Sequence, residues 1–157
     1  MNKTISAYYA EDHDVLDRAM MDFKRLKGTG LEEAKPFFRR FKSGLKRHIF
    51  WEEKILFPVF EEKTGMKNSG PTAVMRQEHV MILEALEALH DKVRQGNIEC
   101  DGQIHELVSL LKDHNYKEEG VLYPAIDSMI GATDLERIYQ EMEKVTLERN
   151  ESCGCSH

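Results

Sequence analysis

The chain matches itself after a shift of 66 residues, and few folds accept such a sequence. At that one offset His13 falls on His79, His48 on His114, Glu52 on Glu118 and Glu53 on Glu119. Leu56-Phe57-Pro58 falls on Leu122-Tyr123-Pro124. Each half therefore carries one histidine and, further on, a His-x-x-x-Glu pair. Two such halves facing each other make a pseudo-two-fold arrangement, and the repeated polar residues must meet near its axis.

Between the turn signals Gly28-Thr29-Gly30, Gly65 to Pro71, Gly96-Asn97 and Gly131-Ala132, the apolar residues recur at helical spacing. The pattern predicts a first helix over 6–27. A second starts between Leu31 and Pro36 and runs to 63. A third covers 71–95 and a fourth 101–130. A shorter fifth starts at Thr133, where Thr133 and Glu136 have capping-box spacing. Four long helices with short connections predict an all-α, antiparallel up-down four-helix bundle with a short C-terminal fifth helix. One domain is expected over 1–150, with a loose cysteine-containing tail over 151–157. Pro58 and Pro124 fall within the second and fourth helices and each removes a backbone hydrogen bond, so each should kink or end its helix.

The inward faces follow from positions i, i+3, i+4 and i+7. The first helix presents Tyr9, His13, Leu16, Met20 and Phe23. The second presents Phe41, Leu45, His48, Glu52, Leu56 and Val59. The third presents Met75, His79, Ile82, Leu86, Leu89 and Val93. The fourth presents Leu107, Leu111, His114, Glu118, Val121 and Ala125. Six polar residues thus sit in apolar stripes. Glutamate is almost never fully buried unless paired, and an uncompensated buried charge costs several kcal/mol or more. A lone His-x-x-x-Glu is most simply a surface ion pair. Two copies, each with an extra stripe histidine at the same offset, favour a pair of metal ions over a hydrogen-bonded His–Glu network. Imidazole plus carboxylate suits iron, zinc or manganese.

Asp12-His13, His48-x-x-x-Glu52-Glu53, Glu78-His79 and His114-x-x-x-Glu118-Glu119, with the two Leu-aromatic-Pro segments, resemble the haemerythrin-type cation-binding (HHE) domain. The resemblance covers about Ile5 to Met129. It implies a non-haem di-iron centre. His13, His48, His79 and His114 would be terminal ligands. Glu52 and Glu118 would bridge the irons together with an oxo or hydroxo group. That count gives five ligands per iron and leaves each a vacant or water-filled position. Oxygen-carrying members place a fifth histidine one turn before the third-helix ligand, and here that position is Met75. The difference favours reaction with peroxide or nitric oxide over reversible oxygen carriage. Glu53 and Glu119 are turned about 100° from the ligand face and read either as surface residues, the favoured reading, or as residues that support the ligands from behind. Tyr9, the repeat counterpart of Met75, lies one turn from His13. Both are candidates for the layer around the ligands, Tyr9 as a core aromatic or as a phenol near the iron served by His13.

Other features bound the function. The net charge of −6 disfavours nucleic acid and anionic membrane as main partners. No apolar stretch is long enough to span a bilayer, and the first residues show no apolar leader. With three cysteines, two of them in the last five residues, no disulfide framework is expected and a reducing cytoplasm is. The Cys153-Gly154-Cys155-Ser156-His157 segment offers soft ligands for a metal or redox partner, or is an incidental tail. Cys100 reads as structural, His90 and His105 as ordinary polar residues. Ile49-Phe50-Trp51 is apolar where its counterpart is Asn115-Tyr116-Lys117, so the fifth helix or a second copy should cover the first triplet. The expected protein is a monomer or homodimer that holds two iron ions and reacts with small oxidants or diatomic ligands, in stress response or iron-centre repair. An iron-receiving or redox protein is an expected partner. The alternative is an oxygen carrier, store or sensor without turnover.

Overall fold

The computed structural model describes residues 3–145. Their order is α1 (Ile5–Leu26), α2 (Leu31–Trp51), α3 (Phe57–Thr64), α4 (Pro71–Arg94), α5 (Asp101–Lys117), α6 (Tyr123–Met129) and α7 (Ala132–Glu143). Five-residue π-helical turns, Glu52–Leu56 and Glu118–Leu122, join α2 to α3 and α5 to α6. The result is an all-α bundle of four long rods with α7 added across one end. No strand occurs among the described residues, and none of their helices is long and apolar enough to cross a membrane.

The prolines neither end the rods nor leave them regular. Pro58 and Pro124 each sit in the first turn of the helix that follows a π turn. A proline cannot donate to the carbonyl four residues back, and its ring crowds that carbonyl. The wider turn avoids this conflict. Its closing bonds run five residues back, from Phe57 N–H to Glu52 O and from Tyr123 N–H to Glu118 O.

The extra residue per turn also shifts the inward face. Val121 was expected inside and is 62% exposed, whereas Leu122, Tyr123 and Ile126 are buried. In the first half Leu56, Phe57 and Phe60 are buried and Val59 only partly. The stripe follows a period of 3.6 as far as each glutamate and then slips by one. A further correction concerns Thr133. Gly131 is the N-cap of α7, with no side-chain capping bond, because the helix already includes Thr133.

Two apolar clusters fill the bundle. Leu16, Phe23, Phe38, Leu86 and Leu107 belong to the first. Tyr9, Trp51, Phe57, Tyr123, Ile138 and Met142 belong to the second. The six polar residues of the repeat lie between them along the rods. Gly44, one turn before His48, lets α1 and α2 close tightly, since a Cβ there would stand 2.7 Å from Leu16 Cδ2. Asp127 of α6 accepts from the N–H groups of Ile5 and Ser6 at 2.8 and 3.1 Å, tying the start of α1 to the last rod.

Candidate metal centre

All six expected residues meet at one level of the bundle and all are buried, with Glu52 and Glu118 wholly inaccessible. His13 comes from α1, His48 from α2, His79 from α4 and His114 from α5. Glu52 and Glu118 open the two π turns. Each glutamate spans both pairs of histidines. Glu52 Oε2 is 3.5 Å from His48 Nε2, and its Oε1 is 3.1 Å from His79 Nε2. Glu118 Oε1 is 3.3 Å from His13 Nε2, and its Oε2 is 3.2 Å from His114 Nε2.

The outer nitrogens explain how the rings are held. Nδ1 of His13 lies 2.7 Å from Glu119 Oε2 and that of His79 lies 2.7 Å from Glu53 Oε2. Nδ1 of His48 lies 2.8 Å from Asp12 Oδ2 and that of His114 lies 2.8 Å from Glu78 Oε1. A carboxylate can only accept, so each ring carries its proton on Nδ1 and turns the lone pair of Nε2 inward. Four inward lone pairs and two buried carboxylates make a site short of positive charge. His13 Nε2 and His48 Nε2 stand 3.1 Å apart, and Glu118 Oε2 has no hydrogen bond of proper geometry. This donor set fits cations. Groups able to hold a metal ion form on both sides, from Glu52, His79, His114 and Glu118, and from His13, His48 and Glu118.

Without a cation, protons take its place. Desolvation lowers the pKa of His48, but Glu52 and Asp12 outweigh it and hold that pKa up at about 10. Desolvation likewise opposes charge on His79, and Glu52 and Glu53 still raise its pKa to about 9. Glu52 is held well below the usual carboxylate range: burial pushes it up, and His48 with its other partners overrides that.

Of the two readings of Glu53 and Glu119, the structure favours the ligand-supporting one, although the Glu119 side chain is also 44% exposed. Each bonds a histidine of the opposite half, so these carboxylates cross the bundle, whereas Asp12 and Glu78 bond within their own half. The 100° turn from the ligand face was correctly reckoned. In a four-helix bundle that direction runs along the seam with the neighbouring rod, where a side chain can reach across and still meet water. Tyr9 is fully buried, and its ring lies against His48 at 5.2 Å between centroids. Its hydroxyl points to Met142 Sδ at 3.4 Å, away from the six residues. Met75 is buried in the apolar cluster on that side.

Sequence reasoning missed Tyr123. Its hydroxyl lies 2.6 Å from Glu52 Oε2 and 2.9 Å from Glu118 Oε1. The same oxygen is 3.3 Å from His48 Nε2 and 3.4 Å from His13 Nε2. The signal was present in the repeat, where Tyr123 stands opposite Phe57, a hydroxyl on one side of the axis only. Phe57 instead stacks on His79, its ring 5.8 Å away and nearly parallel. Burial, with Glu118 and Glu52 adding to it, raises the Tyr123 pKa well above its ordinary value.

A cavity of about 10 Å³, near the least that holds one water molecule, is lined by the four histidines and Glu52 together with Leu16, Leu45 and Ile82 among others. A larger groove of about 630 Å³ runs beside it, lined by His13, Asp17, Met20, Leu111, Tyr116 and Glu119 among others. His90 is buried at the far end of the bundle, with Lys42 Nζ 2.7 Å from its Nδ1. His105 is exposed, and Cys100 is buried in the first apolar cluster. The tail residues Cys153, Cys155 and His157 lie outside the described residues.

A bundle with this pair of His-x-x-x-Glu rods and a buried cation site defines a class of metal-binding protein. The family model for the hemerythrin HHE cation binding domain matches residues 4–126, and the chain belongs to that family. Among curated relatives, the iron-sulfur cluster repair protein YtfE of Yersinia pseudotuberculosis serotype IB (strain PB1/+) is 32% identical over 89 residues, covering 51% of this chain and 40% of the relative. The protein of the same name from Yersinia pestis (strain Pestoides F) is 30% identical over the same shares. The matched segment thus spans about two-fifths of these relatives' length. No solved structure matches the chain.

Proposed function

We propose that the chain is a di-iron protein in which His13 and His48 hold one ion, His79 and His114 hold the other, and Glu52 and Glu118 bridge them. One observation carries the reading: each glutamate directs one oxygen to each histidine pair. Iron bound there would supply redox chemistry toward oxygen, peroxide or nitric oxide. The protein's own part is to hold the rings through Asp12, Glu53, Glu78 and Glu119, and to shield the carboxylates of Glu52 and Glu118 from water. The space among the donors is small, which favours diatomic or peroxide-sized molecules over an organic substrate. A role in iron-centre repair agrees with the name of the relatives, and oxidative or nitrosative stress is the setting we propose for it. Carriage of oxygen without turnover is the second reading. Met75 weighs against it, because both histidine pairs then offer the same number of imidazoles.

Iron analysis of anaerobically purified protein should give two ions per chain. Glu52→Ala and His114→Ala should lose iron and melt at lower temperature, since binding contributes to folding. Full iron content and unchanged melting in both would overturn the assignment. A stable, reversible oxygen adduct would favour carriage, and consumption of peroxide or nitric oxide would favour reaction.

The pH dependence has a definite sign. Iron must displace protons from His48 and His79, so its apparent affinity should rise with pH up to about 9–10 and fall on acidification. The metal-free protein should behave in the opposite way. Both folded-state pKa values are raised, so that stabilisation is complete below about 6.5 and is lost as pH rises through about 9 and 10. Metal-free melting temperatures that stay level from pH 7 to 10 would contradict this.

A further inference from the structure

The two halves each supply the same three donors, two histidines and a glutamate, but only one supplies a phenol. We propose that Tyr123 is a seventh protein ligand, its oxygen binding the ion held by His13 and His48, so that the two metal positions are chemically different. This rests on the two-ion reading above. Neighbouring ligands on an octahedral ion, with bonds near 2.1 Å, stand roughly 3 Å apart. The Tyr123 oxygen lies 2.6, 2.9, 3.3 and 3.4 Å from Glu52 Oε2, Glu118 Oε1, His48 Nε2 and His13 Nε2. These are the four donor atoms that this ion would use, and their distances bracket the expected spacing. In the metal-free chain this hydroxyl donates to the two carboxylates, and the two imidazole nitrogens beside it complete the set that an ion would gather.

The backbone explains the placement. Tyr123 follows the π turn that Glu118 opens, and its own N–H closes that turn on Glu118 O. Ligand and phenol are therefore fixed by the same turn. On the other side Phe57 follows the equivalent turn and stacks on His79 without offering an oxygen. Tyr9 is no substitute, because its hydroxyl is turned to Met142. On ligation the phenol O–H breaks, the oxygen's electron pair forms the bond to the ion and the proton passes to water. No electron is transferred.

The test uses the full chain loaded with ferric iron, with iron content measured alongside the spectrum. The expected result is an intense visible phenolate-to-iron band. Its resonance Raman spectrum should show tyrosine ring modes that shift when the protein is grown on ring-deuterated tyrosine. The band should be lost in Tyr123→Phe and kept in Tyr9→Phe. Two bound irons with no tyrosine modes in the unaltered protein would overturn the proposal, whether or not Tyr123→Phe folds. So would a band that survives Tyr123→Phe. A chain that takes up no iron overturns the two-ion reading and this one with it, and the iron assay tells the two failures apart.

Discussion

Trp51 and Lys117 hold equivalent places in the two halves of the chain, and only the first is covered. Trp51 is 5% exposed, its Nε1–H donating to Met142 O of α7 at 3.3 Å. Its neighbours include Tyr8, Tyr9 and the Arg47 guanidinium, which stands 4.6 Å from the ring centre. Lys117 is half exposed and pairs with Glu78, and Tyr116 beside it is 81% exposed. The repeat thus holds the six donors constant while the flanks diverge. The His13/His48 side is walled by Tyr9, Tyr123 and Trp51 and roofed by α7. The His79/His114 side has Phe57 and Met75. Residues repeated across the axis meet a demand of the centre, and residues that differ across it distinguish its two ends.

The largest expected effect tests the covered flank. Trp51→Ala should cost about 3–5 kcal/mol, as for other large aromatic side chains removed from a core. Lys117→Ala should stay within about 0.5 kcal/mol. Denaturant midpoints on the metal-free protein measure both. Equal losses would break the comparison. Truncation after Gly131 removes α7 and should redshift Trp51 fluorescence. Unshifted emission from a monomeric truncated chain would mean that α7 is not the cover.

A smaller effect is expected where the halves cross. Glu53→Gln and Glu119→Gln should each lower iron affinity by about 10–100-fold, the usual result of losing an outer partner of a ligating histidine. The Glu53 side chain is 28% exposed and Glu119 44%, so the Glu53 substitution should cost more. Competition against a chelator gives both numbers. Wild-type affinity in both variants would return these residues to the surface role, the other of the two readings that the helical wheel left open.

Much of this was legible in the residues themselves. The rods begin and end within a residue or so of their expected bounds, because Gly65 (φ +79°) and Gly96 (φ +73°) mark the breaks and Pro71 starts a helix it suits. The six polar residues converge as their offset required. What escaped reading was local geometry that periodicity does not encode. A period of 3.6 holds only in an α-helix, so it aimed Val121 inward across a π turn that has no such period. The crossing of Glu53 and Glu119 depends on which rods are neighbours, a property of the assembled bundle. Tyr123 was hidden by the similarity of the repeat, since Phe57 and Tyr123 look alike until the hydroxyl is asked where it goes.

Tyr9 offers the smallest effect and the sharpest contrast, because it lies one turn from His13 and yet keeps its hydroxyl out of the centre. Its ring packs 5.1 Å from that of Tyr123 and 5.2 Å from that of His48, so the aromatic surface is what the fold uses. The hydroxyl contributes a single contact to Met142 Sδ, a weak acceptor. Removing it in Tyr9→Phe leaves the ring in place and strands no oxygen, since a thioether left without a donor costs little. The expected loss of stability is therefore below about 1 kcal/mol. Iron content and the ferric spectrum should match the unaltered protein. The same deletion at Tyr123 takes away an oxygen that touches the carboxylates of both Glu52 and Glu118. If Tyr9→Phe changes the spectrum while Tyr123→Phe does not, the phenol that serves the His13/His48 ion is Tyr9, and its hydroxyl must turn from Met142 when iron binds.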